Sequence, residues 1–93
     1  MANAMRIDVH KATPEELRRL NCASWPIWAC GVSKFDYFYD DKETCHVLEG
    51  QVTVSAEGQT VSFGPGDIVI FPKGLSCVWD VTQPVRKHYR FGE

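Results

Sequence analysis

The chain has 93 residues, enough for one hydrophobic core and too few for two. Its 44% hydrophobic and 24% charged content is that of a globular domain, which excludes a disordered chain. A net charge of −2 gives no footprint for nucleic acid or an anionic membrane, and no apolar run reaches the ~20 residues of a spanning helix.

Arg6 to Lys11 alternates enough to form a leading strand. Thr13-Pro14-Glu15-Glu16-Leu17 then reads as a helix start, with Thr13 as N-cap, Pro14 at the first helical position and Glu16 closing a capping box. This helix ends near Asn21 after about two turns. Ser24 to Trp28, aromatic and interrupted by Pro26, suits an edge strand or a barrel end. Phe35 to Tyr39 is a strand with Phe35, Tyr37 and Tyr39 on one face and Asp36 and Phe38 on the other. After the acidic turn Asp40-Asp41-Lys42 come a strand from Glu43 to Leu48 and a turn at Glu49-Gly50. Gln51 to Ser55 and Gln59 to Phe63 form a hairpin around Ala56-Glu57-Gly58.

The segment Gly66 to Gly74, GDIVIFPKG, is a turn, a strand and a second turn. Its core, Ile68 to Phe71, is apolar at every position and should be buried on both faces. Gly66 and Gly74 are expected at positive φ, and Pro72 stiffens the second corner. Strands from Ser76 to Val81 and Val85 to Phe91 complete the chain. About eight short strands with Gly/Pro punctuation predict an all-β barrel or sandwich. A single domain spans 1–93, its core at about 5–91.

Two segments point to a family. Glu43-Thr44-Cys45-His46-Val47-Leu48-Glu49-Gly50 matches the first cupin motif from its glutamate to its glycine. Gly66 to Cys77 matches the second in the spacing of Gly66, Pro72, Gly74 and a ligand position. The chain thus resembles the small single-domain cupins, and among them the branch named after the cupin domain of (S)-ureidoglycine aminohydrolase. The Ser24–Trp28 element and the closing Pro84 to Tyr89 resemble its compact members. The resemblance implies a jelly-roll β-barrel with one short N-terminal helical turn. In metal-binding cupins it also implies a site of histidines and a glutamate. Carried over by position, Glu43 falls on the glutamate, Cys77 on the last histidine, and Asp36 and Phe38 on the first two. Phe38 cannot coordinate a metal, and the aminohydrolase's own set, which aligns near Tyr37 and Tyr39, is not reproduced either.

On this reading Glu43, Cys45 and Val47 share the inward face, together with Asp36, Phe38, Cys77 and Trp79. The pocket residues are then Asp36, Phe38, Cys45 and Trp79, and Glu43 is the candidate acid or base. Glu43 and Cys77 are candidate ligands for a divalent metal, zinc or manganese; the alternative is no cofactor. Glu43 otherwise pairs with an interior Arg or Lys or meets water at the barrel mouth, and Cys45 and Cys77 otherwise fill the core. His46 should face outside, His10 is structural or solvated, and either His88 or Tyr89 faces inward. Arg18-Arg19 and Arg86-Lys87 read as solvated faces.

Cys22, Cys30, Cys45 and Cys77 contain no CxxC pair, which disfavours a zinc knuckle. Residues 1–11 lack the apolar core of a signal peptide, so a cytoplasmic location with reduced thiols is expected. An outward set of Trp25, Trp28, Tyr37 and Tyr39 would form an apolar patch and favour a homodimer. Three functional readings follow. One is an enzyme acting on a small ureido, amino-acid or sugar-like compound. The others are a barrel that binds a small-molecule ligand without converting it, and a module whose role is its dimer surface. No nucleic acid or membrane partner is expected.

Overall fold

The computed structural model of the protein describes residues 5–92. Seven strands pair antiparallel throughout: β1 (Asp8–Lys11), β2 (Ile27–Cys30), β3 (Ser33–Phe38), β4 (Glu43–Ala56), β5 (Gln59–Phe63), β6 (Asp67–Phe71) and β7 (Ser76–Phe91). One helix, α1 (Pro14–Leu20), and a short 3-10 turn (Cys22–Ser24) lie between β1 and β2. No helix among the described residues is long and apolar enough to cross a membrane.

The framework is a long ribbon in which β4 and β7 pair from Glu43↔Phe91 to Ala56↔Cys77. The sequence suggests two strands in each of these stretches, with a turn at Glu49-Gly50 and a break before Val85. The structure instead runs both strands through, bending the ribbon where register shifts fall between Val47 and Val52. One half of the ribbon carries β6 and β2 on its two edges, and the other half carries β5 and β3. Folding one half over the other gives the jelly-roll barrel. Gly50 makes the corner possible: its φ is +101°, and a Cβ there would lie 2.6 Å from the Val85 Cα. Chain direction and close backbone approach both require glycine at this position.

The bend also resets alternation. Glu43, Cys45 and Val47 are buried on one side of it, Val52 and Val54 on the other. The inward rows therefore fall on odd positions before the bulges and even positions after them. Around the second half, Val52, Val54, Phe63 and Val81 form a dry aliphatic and aromatic core.

Local signals explain the remaining corners. Thr13 accepts a hydrogen bond from the Glu16 N–H at 3.1 Å, but the Glu16 carboxylate does not close a capping box. It bonds His10 Nε2 at 2.8 Å instead, a charge-assisted partner that outcompetes a backbone amide. Gly74 takes φ +93°, and its turn clips Tyr39 in place: Gly74 N–H donates to Tyr39 O at 2.7 Å, and Tyr39 N–H donates to Leu75 O at 2.9 Å. All four cysteines are free thiols.

Candidate functional site

Residues paired directly across antiparallel strands share a face, so the register decides what faces the interior. Phe35 pairs with Trp79 and Tyr37 with Cys77, whereas Asp36 pairs with Val78 and Phe38 with Ser76. Trp79 and Cys77 are buried, so Phe35 and Tyr37 lie on the same face, with Phe35 half-buried and Tyr37 still 39% exposed at the cavity rim. Asp36 and Phe38 therefore do not join Glu43; both are exposed, Phe38 at 56%. The expected outward patch changes for the same reason. Tyr39 is 1% exposed, and Trp28 packs against the core.

Between the two halves of the folded ribbon these side chains line a cavity of about 150 Å³. Its walls are the rings of Trp28, Phe35, Tyr37, Trp79 and Tyr89, and its base carries Tyr39, Glu43 and Lys87. The rings brace one another. Phe35 stacks on Trp79 at 6.0 Å, Trp28 meets Trp79 edge-on at 5.9 Å, and Tyr39 stacks on Phe71 at 4.7 Å.

Lys87 is the residue that the sequence conceals. It sits in the run Arg86 to Arg90 and reads as part of a solvated basic face, yet it is 4% exposed. Val85, Lys87 and Tyr89 point inward on alternate positions, which leaves His88 on the outer face, its Nδ1 2.9 Å from Trp25 O. The usable signal was Val85: an apolar residue two positions upstream sets the inward phase for Lys87. Lys87 lies opposite Val47, and its long side chain runs along β4 past Cys45 to Glu43. There Nζ donates to Glu43 Oε2 at 2.8 Å and to Cys45 Sγ at 3.3 Å. The ammonium also lies 4.7 Å from the Trp79 ring centroid and 5.0 Å from that of Trp28.

Burial opposes the charge on Lys87, but its contacts with Cys45 and Glu43 outweigh burial and raise its pKa. Burial pushes the Cys45 thiol up as well, so it stays protonated and Glu43 supplies the countercharge. Burial and then the Glu43 charge raise the Tyr39 phenol in the same way. The Trp79 Nε1–H is close enough to act on that phenol but finds no hydrogen-bond partner, although it is buried. An unpaired donor of this kind costs about 1–3 kcal/mol.

The fit to a cupin metal is poor. Among the described residues no group of three or more His, Cys, Asp or Glu side chains is placed to hold an ion. Cys77 points toward Tyr37, its Sγ donating to the Tyr37 carbonyl at 3.6 Å, and is not among the cavity walls. Burial and the Glu43 charge lift its thiol to about 11, so it is not a ready thiolate ligand. Glu43 already holds the Lys87 ammonium. His46 lies on the outer face, half-buried beside Leu17 and Cys22, and His10 is engaged with Glu16 and Asp8.

An antiparallel jelly roll with a polar cluster inside one end defines the cupin class of barrels. A model of the EutQ-like cupin domain matches residues 17–89, and the chain belongs to that family. A DUF861-family protein from Thermotoga maritima is 48% identical over 92% of this chain and 99% of its own, with a TM-score of 0.90. The Clostridium difficile EutQ protein is 21% identical, and a putative ethanolamine utilization protein Q from Salmonella typhimurium 24%. Their TM-scores are 0.68 and 0.67. Each is matched by 92% of this chain, over 67% and 68% of its own length, and at that identity the likeness shows the fold alone. No curated protein matches the chain.

Proposed function

We propose that this cupin binds a small polar metabolite in the aromatic cavity and works on it with Glu43 and Lys87 rather than a metal. The observation that carries this reading is the Glu43–Lys87 pair, with side chains 4% and 5% exposed, at the base of a cavity. A buried ion pair is often no better for stability than well-packed apolar residues of similar volume. Its position at the base of a cavity supports a role toward a ligand. Lys87 supplies the fixed positive charge that a metal supplies in other cupins, and it polarises a ligand oxygen. Glu43 is the group able to exchange a proton with the bound molecule. The resemblance to the ureidoglycine aminohydrolase branch puts ureido compounds first among those to try, followed by amino acids and sugars.

The test is calorimetric titration of that panel against the wild type and a Glu43→Gln/Lys87→Met double variant. We expect at least one compound to bind the wild type and to lose tenfold or more in affinity in a double variant that stays folded. Undiminished binding by the double variant, or no binding by any compound, would sink the proposal. The exposed Val32, Phe38 and Ile27 support a homodimer as a separate proposal, and sedimentation at micromolar concentration tests it.

A further inference from the structure

We propose that the free edge of β3 pairs antiparallel with the same edge of a second copy of this chain, in the register centred on Phe35. The proposal rests on the homodimer proposed above and assigns its surface and its geometry.

Four strands, β1, β2, β3 and β5, each pair with one neighbour among the described residues. β3 is the longest of them at six residues, and all but Phe35 are exposed. The ladder shows which of its backbone groups are spare. Tyr39 N–H donates to Leu75 O at 2.9 Å, in continuation of the register that pairs Tyr37 with Cys77. Hydrogen-bonded and non-bonded pairs alternate along an antiparallel ladder, so Tyr37, Phe35 and Ser33 also bond to β7. The N–H and C=O groups of Lys34, Asp36 and Phe38 therefore point away from β7, where an added strand would meet them.

The side chains on this edge select the added strand. Lys34 and Asp36 share the outer face, both are exposed, and neither makes an ion pair among the described residues. A lysine on an edge strand usually repels a neighbour, but an aspartate two positions along makes this edge complementary to itself. Spare backbone groups on alternate residues restrict a well-overlapped twofold pair to registers centred on Lys34, Phe35 or Asp36. The first sets the two Lys34 side chains opposite each other, and the last does the same with the two Asp36. Only the register centred on Phe35 sets each Lys34 opposite the other copy's Asp36. It also brings Phe38, 56% exposed, beside Val32 of the other copy, 68% exposed. Charge and apolar surface thus agree on one register. Such a pair consumes both free edges and closes at two copies. The same strand brings Phe35 and Tyr37 to the cavity, so pairing would fix one wall of each site.

Charge reversal tests the register. Lys34→Asp and Asp36→Lys are made separately, and circular dichroism with thermal melting checks that each folds like the wild type. Sedimentation then gives the dimer affinity of the wild type, of each variant and of their equimolar mixture. We expect the wild type to dimerise, and each variant, with like charges opposed at both facing positions, to dimerise at least about tenfold more weakly. In the mixture the two variant strands present opposite charges to each other, so a heterodimer should form with about the wild-type affinity. A mixture that associates no better than the separate variants would overturn the register. If the wild type dimerises and either variant does so as tightly, the homodimer stands and the β3 edge falls. If the wild type stays monomeric up to about 1 mM, both fall.

Discussion

The two halves of the β4–β7 ribbon are made from the same pair of strands, yet they are built for different ends. The half around Val52, Val54, Phe63 and Val81 is dry, closed and free of charge. The half around Glu43, Lys87 and Tyr89 buries an ion pair and a neutral thiol at a cavity whose facing wall, Phe35, Tyr37 and Trp79, comes from the other half. A shared backbone lets the apolar half hold the polar half in register.

The contrast can be broken most strongly by substitutions that damage each half in its own way. Phe63→Ala should cost about 3–5 kcal/mol in chemical denaturation, because it opens a void in a closed core. Lys87→Met should cost a similar ~3–5 kcal/mol, for an opposite reason: it leaves the Glu43 carboxylate buried without its partner. The second value separates the halves only when set beside the double variant. Glu43→Gln/Lys87→Met should recover most of that loss, to within about 1 kcal/mol of the wild type or above it. A double variant as unstable as Lys87→Met alone would mean that the pair holds the fold together, and the contrast would fail.

The smallest expected effect comes from the outer face, where His46 pairs across the ribbon with His88. Burial, and then the His88 charge, lower the His46 pKa below 6.5 in the folded protein. The unfolded chain thus binds this proton more readily. The stabilisation is fully present above pH 6.5 and is lost as pH falls toward the lowered folded value. His10, raised mainly by its bond to Glu16, acts in the opposite sense. The difference between the pH–stability curves of His46→Gln and the wild type isolates the His46 part. It should show the variant losing less stability than the wild type below neutral pH.

Much of this architecture was legible because turn residues act locally. Gly66 and Gly74 take the positive φ expected of them, and Thr13 caps its helix. Glu43 was legible as a site candidate because a carboxylate stands out in a strand of apolar neighbours. Lys87 was not, because a charged run looks solvated wherever it falls, and its burial depends on a partner 44 residues away. Asp36 and Phe38 were placed inside because alternation tells which residues share a face but not which face is inside. The pairing of Tyr37 with Cys77 settles that, and it is a long-range fact.

The corner between Val47 and Val52 has a consequence for how this family can change length. Two reading frames of in-and-out alternation coexist on one strand, joined by the irregular residues between them. Losing a single residue there would be no ordinary loop deletion. It would swing the Glu43–Cys45–Val47 row to the outside while Val52 and Val54 stayed where they are. The barrel would keep its apolar half and lose its buried ion pair in one step.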